Sequence, residues 1–294
     1  MRLIPSLLAL AAIAGAAGWW LTAPTRAPAA ALADLTGDAT NGELVFWATG
    51  CASCHMAPGA KGEAQLVLAG GQAFPTAFGT FHAPNISPSA EGIGGWTTEE
   101  FVTAVTKGVS PGGQHYYPAF PYAAFANMTL QDVVDLKAFI DTLPQDATPD
   151  KPHDVGFPFN IRRSLGGWKL LFLREGWVVN ADLTEIEQRG RYIAEAMAHC
   201  GECHSPRNAL GGIERSRWLA GTPNPAGEGS IPNITPAKLT WSEDEIVEYL
   251  TTGFTPEYDS VGGHMAHVVE NMARLPESDR ASVAAYLKKV PPAE

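Results

Sequence analysis

The sequence predicts an all-α protein built from two tandem, loop-rich domains behind one N-terminal apolar helix. Three observations predict it. An uncharged apolar run opens the chain, a cysteine-containing pattern occurs twice, and the segments after each copy repeat one another in order. Composition agrees. Among 294 residues there are 30 glycines and 23 prolines, and only 17% are charged, which excludes a helical bundle, a coiled coil and a charge-rich disordered chain. The net charge of −11 lacks the basic footprint of a nucleic-acid binder and favours a partner with a positive surface.

The first element is the run from Leu3 to Leu21, with Arg2 before it and Trp19 and Trp20 at its outer end. Its length suits a membrane span, tryptophans favour the membrane boundary, and a basic residue on the inner side exports the downstream chain. Residues 1–22 therefore read as an anchor, with the rest on the periplasmic side of the inner membrane. A cleaved signal peptide ending near Ala31-Leu32-Ala33 is the competing reading, and it leaves a soluble periplasmic protein. Residues 23–37, rich in alanine, proline and threonine, read as a flexible tether.

All four cysteines fall in the repeated pattern, Cys51-Ala52-Ser53-Cys54-His55 and Cys200-Gly201-Glu202-Cys203-His204. Cys-x-x-Cys-His is the attachment signature of c-type haem. Two thiols one helical turn apart can add to the two vinyl groups on one porphyrin edge, and the following histidine can bind the iron. A zinc site or a redox dithiol would not require histidine after both pairs, and the pairs lie too far apart for a zinc ribbon. Two covalently bound haem c groups are expected, on Cys51 and Cys54 and on Cys200 and Cys203, with His55 and His204 as axial ligands.

Downstream, Pro84-Asn85-Ile86-Ser87-Pro88 matches Pro232-Asn233-Ile234-Thr235-Pro236. The helices after Trp96 and Trp241 open with capping boxes, Thr97 with Glu100 and Ser242 with Glu245, and close on Gly108 and Gly253. Each half ends in an amphipathic helix, one after Thr129 with Val133, Leu136, Phe139 and Ile140, the other after Ser278 with Val283, Tyr286, Leu287 and Val290. Gly42 and Gly190, ahead of the cysteines, would let the first helix cross the last closely, against Phe139 or Tyr286. Both halves resemble a class I cytochrome c domain, at residues 38–145 and 183–294. Residues 146–182 are too apolar for a free linker and should pack between or along the domains.

Methionine is a common second axial ligand. Of six methionines, Met1, Met56 and Met197 are poorly placed to reach the far side of a ring, which leaves Met128, Met265 and Met272. Met128 is the candidate in the first half, with core packing as its competing role. In the second, Met265 after Gly262-Gly263-His264 is preferred to Met272. Histidine ligation through His115, His264 or His267 is the alternative. Each ligating imidazole should donate its other N–H to a backbone carbonyl, for which the Pro58 and Pro206 regions are candidates.

Taken together, the motifs resemble the membrane-bound c-type cytochrome subunits of periplasmic alcohol, aldehyde and sugar-alcohol dehydrogenases. The resemblance rests on Phe78-Gly79-Thr80 through Ile86, on Tyr116 to Tyr122, on Gly167-Trp168-Lys169-Leu170-Leu171-Phe172, on Cys203 to Asn208 and on Gly262 to Ala266. The chain departs from that family twice: many relatives carry three haem domains, and Phe120 stands where the first domain often has methionine. The resemblance implies electron transfer without substrate chemistry, from a periplasmic dehydrogenase to a soluble cytochrome c, a terminal oxidase or quinone. The rival functions are a dihaem peroxidase, which needs a haem able to open a distal position, and a methionine-ligated thiosulfate dehydrogenase.

Overall fold

The computed structural model describes residues 3–225, 227 and 229–293, with the side chains at 3–5 and 11 outside the description. It is mainly helical, with two short antiparallel ribbons that the all-α expectation did not include: β1 (Ala73–Thr76) with β2 (Gly79–His82), and β3 (Thr222–Pro223) with β4 (Ser230–Ile231). The first helix, α1, runs Leu3–Leu21 and exposes Leu7, Leu8, Ile13, Trp19 and Trp20. Among the described residues no helix is long and apolar enough to cross a membrane.

The expected tether is not free. Ala27 is buried and its N–H donates to Thr103 Oγ1 at 3.0 Å, Arg26 donates to Pro111 O at 3.0 Å, and Gln131 donates to Thr36 O at 2.8 Å. Leu32 and Leu35 pack on the core. Alanine and proline cost little side-chain entropy to order, so these few contacts hold residues 23–37 along the first half.

The first half contains α2 (Ala39–Thr49), α3 (Cys51–His55), α4 (Thr98–Lys107), α5 (Tyr122–Phe125) and α6 (Leu130–Ile140). After α7 (Leu165–Phe172) come α8 (Glu185–Arg191), which runs on into a π turn at Tyr192–Met197, then α9 (Gly201–His204), α10 (Glu243–Thr252), α11 (His264–Met272) and α12 (Glu277–Leu287). Both predicted capping boxes form, and Gly108 and Gly253 end α4 and α10 in the left-handed conformation. In contrast, α12 starts one residue before Ser278, with Pro276 at its N-cap. Ser278 is thus inside the helix, where its carbonyl accepts from Ser282 Oγ.

In each half the first helix crosses the last at the predicted glycine. A Cβ on Gly42 would lie 2.0 Å from Asp135 O and 2.9 Å from Phe139 Cβ; on Gly190 it would lie 1.8 Å from Ser282 O and 2.8 Å from Tyr286 Cβ. Polar bonds pin both crossings. The Asp135 carboxylate accepts from Asp38 N, Asn41 Nδ2 and Gln131 Nε2 at 2.7–2.8 Å, and Arg189 pairs in two-pronged fashion with Asp279. The second half carries one more residue between its crossing glycine and its first cysteine, and the π turn absorbs it.

Most buried apolar residues of the two halves join in one cluster rather than two separate cores, and Phe81, Tyr117 and Leu165 form a small second one. The contact is made by α5 against the π turn and by α11 against α2 and α3. The connecting segment packs, as expected. Asp154 pairs with Thr80, Trp168 lies edge-on to Tyr122 while its Nε1 donates to Leu210 O at 2.9 Å, and Lys169 Nζ donates to the last carbonyls of α4, Lys107 O at 2.6 Å and Gly108 O at 2.7 Å. Gly42→Ala must push the crossing backbones apart and should destabilise the protein by about 3 kcal/mol. Gly95→Ala, with nothing near the new methyl, should be close to neutral. Thermal unfolding of the two variants measures the difference.

Candidate haem-attachment sites

Each Cys-x-x-Cys-His pattern forms a short helix, Cys51–His55 and Gly201–His204, the latter directly after Cys200. The residue before the first cysteine turns the chain with a positive φ in both halves: 67° at Gly50 and 42° at His199. Histidine is one of the residues that tolerate this region better than most, and the His199 ring packs on Phe125 at 5.5 Å. The two patterns face one another. Asn271 of α11 donates to Ser53 Oγ at 2.9 Å, between the two cysteines of the first pattern. Desolvation, then the neighbouring thiols of Cys51 and Cys203, pushes Cys54 up to about 12.

Desolvation also raises Cys51 to about 11 and Cys200 to about 12. Among the described residues, no group of three or more His, Cys, Asp or Glu side chains is placed to hold a metal ion. Thiols spaced one turn apart suit thioether attachment.

Both histidines are oriented in the same way. His55 Nδ1 lies 2.8 Å from Pro84 O, and His204 Nδ1 lies 2.8 Å from Pro232 O. A carbonyl can only accept, so Nδ1 carries the proton and Nε2 keeps a lone pair with which it could bind a metal. Desolvation lowers the pKa of both imidazoles and the carbonyl bond opposes it, which keeps them neutral at neutral pH. These carbonyls replace the expected ones near Pro58 and Pro206: the proline-asparagine loop folds back over each histidine, and Pro206 O accepts from Glu214 N instead.

That loop is built identically in the two halves. Gly70 and Gly221 have φ of 71° and 79°, and their N–H groups donate to His55 O and His204 O, both at 2.7 Å. A Cβ on Gly70 would sit 2.5 Å from Pro84 C, and one on Gly221 2.7 Å from Asn233 N. Ile86 N and Ile234 N donate to Leu68 O and Leu219 O at 3.0 Å. Asn85 Oδ1 accepts from Ser87 N, and its Nδ2 donates to Asp146 O and Thr148 O. Asn233 Oδ1 accepts from Thr235 N, and its Nδ2 donates to Ala293 O at 2.7 Å. The stretch after each half's last helix thus returns to hold the asparagine. The proline-asparagine-isoleucine repeat marks Pro84 and Pro232 as positioning residues. The matching Leu68-Ala69-Gly70 and Leu219-Ala220-Gly221 were the overlooked part of the signal.

Of the distal candidates, Met265 is half-buried at the start of α11, whereas Met128 and Met272 are buried in the core. The alternative histidines are engaged elsewhere. His115 Nε2 is 3.0 Å from Thr22 O, His264 leans on Phe74, and His267 faces Glu270 at 3.5 Å. Asn85→Ala removes three side-chain bonds under the proline loop and should lower the unfolding free energy of the loaded protein by about 2 kcal/mol, read by denaturant titration.

The Cytochrome c family model matches residues 39–144. Over all 294 residues the chain is 58% identical to a "Diheme cytochrome c-type" protein of Cereibacter sphaeroides, covering 99% of that protein. It is 38% identical over 262 residues to the fructose dehydrogenase cytochrome subunit of Gluconobacter japonicus and 33% identical over 264 residues to the alcohol dehydrogenase (quinone) cytochrome c subunit of Gluconobacter oxydans. About 85% of the chain takes part in these two matches, which span 52% and 54% of those subunits. With both cysteine-histidine helices built alike and the likeness running from end to end, the chain belongs to the family of dihaem c-type cytochromes.

Proposed function

We propose that the chain carries two covalent haem c groups and passes electrons from a periplasmic dehydrogenase to a soluble cytochrome c, a terminal oxidase or quinone. The observation that carries this reading is the pair of cysteine-histidine helices, each with its imidazole fixed in the iron-binding tautomer. Haem c, when bound, supplies reversible one-electron redox chemistry. Cys51 and Cys54 hold the first group and Cys200 and Cys203 the second, with His55 and His204 as iron ligands and Met265 as the second ligand in the later half. The protein contributes attachment, ligand orientation and a fixed separation, since the connecting segment and the shared core bind the halves together.

The likeness to cytochrome subunits of fructose and alcohol dehydrogenases supports a dehydrogenase as donor. The chain spans about half the length of those subunits. The domain limits are read as 38–145 and 183–294. No described helix is long and apolar enough to cross a membrane; what supports an anchor holding the protein on the periplasmic face is that α1 is uncharged and exposes leucines and tryptophans.

Two experiments test this reading. The pyridine haemochrome of protein made with a haem-attachment system should report two haems per chain. Replacing Cys51 and Cys54 together by serine should remove one; a wild-type protein with fewer than two contradicts the reading. Deleting residues 1–22 behind a cleavable export signal should move the protein from the membrane to the soluble periplasmic fraction, and no change on fractionation would remove the anchor.

A further inference from the structure

The halves can be aligned on their own hydrogen bonds beyond the haem-binding patterns. After α4, a hairpin closes with a bridge between Val109 and His115; after α10 the same hairpin closes between Phe254 and Ser260. Ser110 N bonds Gln114 O as Thr255 N bonds Asp259 O, and Tyr116 N bonds Gly108 O as Val261 N bonds Gly253 O. Counting on from that last matched bond, Phe120 falls in step with Met265. Both are half-buried and both pack on the shared core.

The two halves come back into step at the last helix. Met128 and Leu275 each precede the N-cap residue, Thr129 or Pro276, and both are buried. Met128 N bonds Phe125 O as Leu275 N bonds Met272 O. Met128 therefore occupies the place of a core leucine, and Met272 the place of Phe125. Between these fixed points the second half is two residues longer, taken up in the longer helix α11.

Resting on the dihaem reading above, we infer that the first centre has no methionine ligand: Phe120 stands at the distal position, Met128 is a core residue, and the first iron is open to a small neutral ligand such as carbon monoxide. The segment between α4 and α6 offers no other sulfur or imidazole except His115, which is buried against Thr22 and Gly166. Phe120 is fixed in place by an aromatic cluster, with ring centroids 5.9 Å from Tyr116, 6.3 Å from Tyr122 and 5.8 Å from Phe125. A phenyl ring can shield an iron but has no donor atom with which to ligate it.

The test is a carbon monoxide titration of the dithionite-reduced holoprotein, followed by absorption difference spectra, after the pyridine haemochrome has shown two haems. Wild type should bind one carbon monoxide per chain, and Met128→Ala should bind the same amount. Phe120→Met should lose that binding and gain the weak long-wavelength sulfur-to-iron band in the ferric state. Met265→Ala should bind two. A wild-type protein that binds none overturns the inference, and binding that appears only in Met128→Ala returns the ligand role to Met128. Fewer than two haems would defeat the dihaem reading itself, before any gas is added.

Discussion

An imidazole presents one fixed nitrogen to a metal when an acceptor holds the N–H of the other, and here a proline carbonyl is that acceptor. The carbonyls of Pro84 and Pro232 receive Nδ1–H of His55 and His204, and much of each half exists to keep that acceptor in place. The loop bearing it is bound to the cysteine helix through Gly70 or Gly221, which must be glycine because the proline-asparagine backbone lies against it. Asn85 or Asn233 stiffens the turn, and the chain returning from the last helix satisfies the asparagine. That helix is positioned in turn by its crossing at Gly42 or Gly190. The histidine, the loop and the helix pair form one mechanical chain.

The first and last links were visible in the sequence because each requires a residue type. Cysteines at fixed spacing announce attachment, and a glycine before them opposite an aromatic residue in the final helix announces a close crossing. The capping boxes and the glycine stops were equally plain, being short-range and chemical. The middle links were not. A backbone carbonyl has no residue identity, so Pro84 and Pro232 could be seen to recur without showing what they bind. The packing of residues 23–37 was also hidden. It depends on Thr103, Pro111 and Gln131, which lie far away in the chain.

The merging of the halves was the hardest feature to foresee. Two tandem domains would each close a core, yet most buried apolar residues of both halves form one cluster, with α5 reaching across to the π turn ahead of the second cysteine pair and α11 reaching across to α2 and α3. Asn271 at Ser53 is the polar side of that exchange, and nothing in the local sequence of α11 distinguishes it from an ordinary helical asparagine. Composition hinted at the reason for merging. With few regular elements per half and a large flat group expected inside each, the apolar surface left over is most easily covered by the other half.

The π turn at Tyr192–Met197 has a consequence beyond its own helix. An extra residue in a regular α-helix rotates everything after it by about 100° and advances it about 1.5 Å. Downstream of Gly190 such a rotation would swing the second cysteine pair off the side on which its histidine meets Pro232. The wide turn cancels the rotation, and it also brings Glu195 inward to accept from Tyr286 Oη and from the N–H groups of Val178 and Val179. Forcing this helix into regular α geometry while keeping its extra residue would therefore make a better helix and a misaimed attachment site. The two repeats are copies in plan but not interchangeable parts.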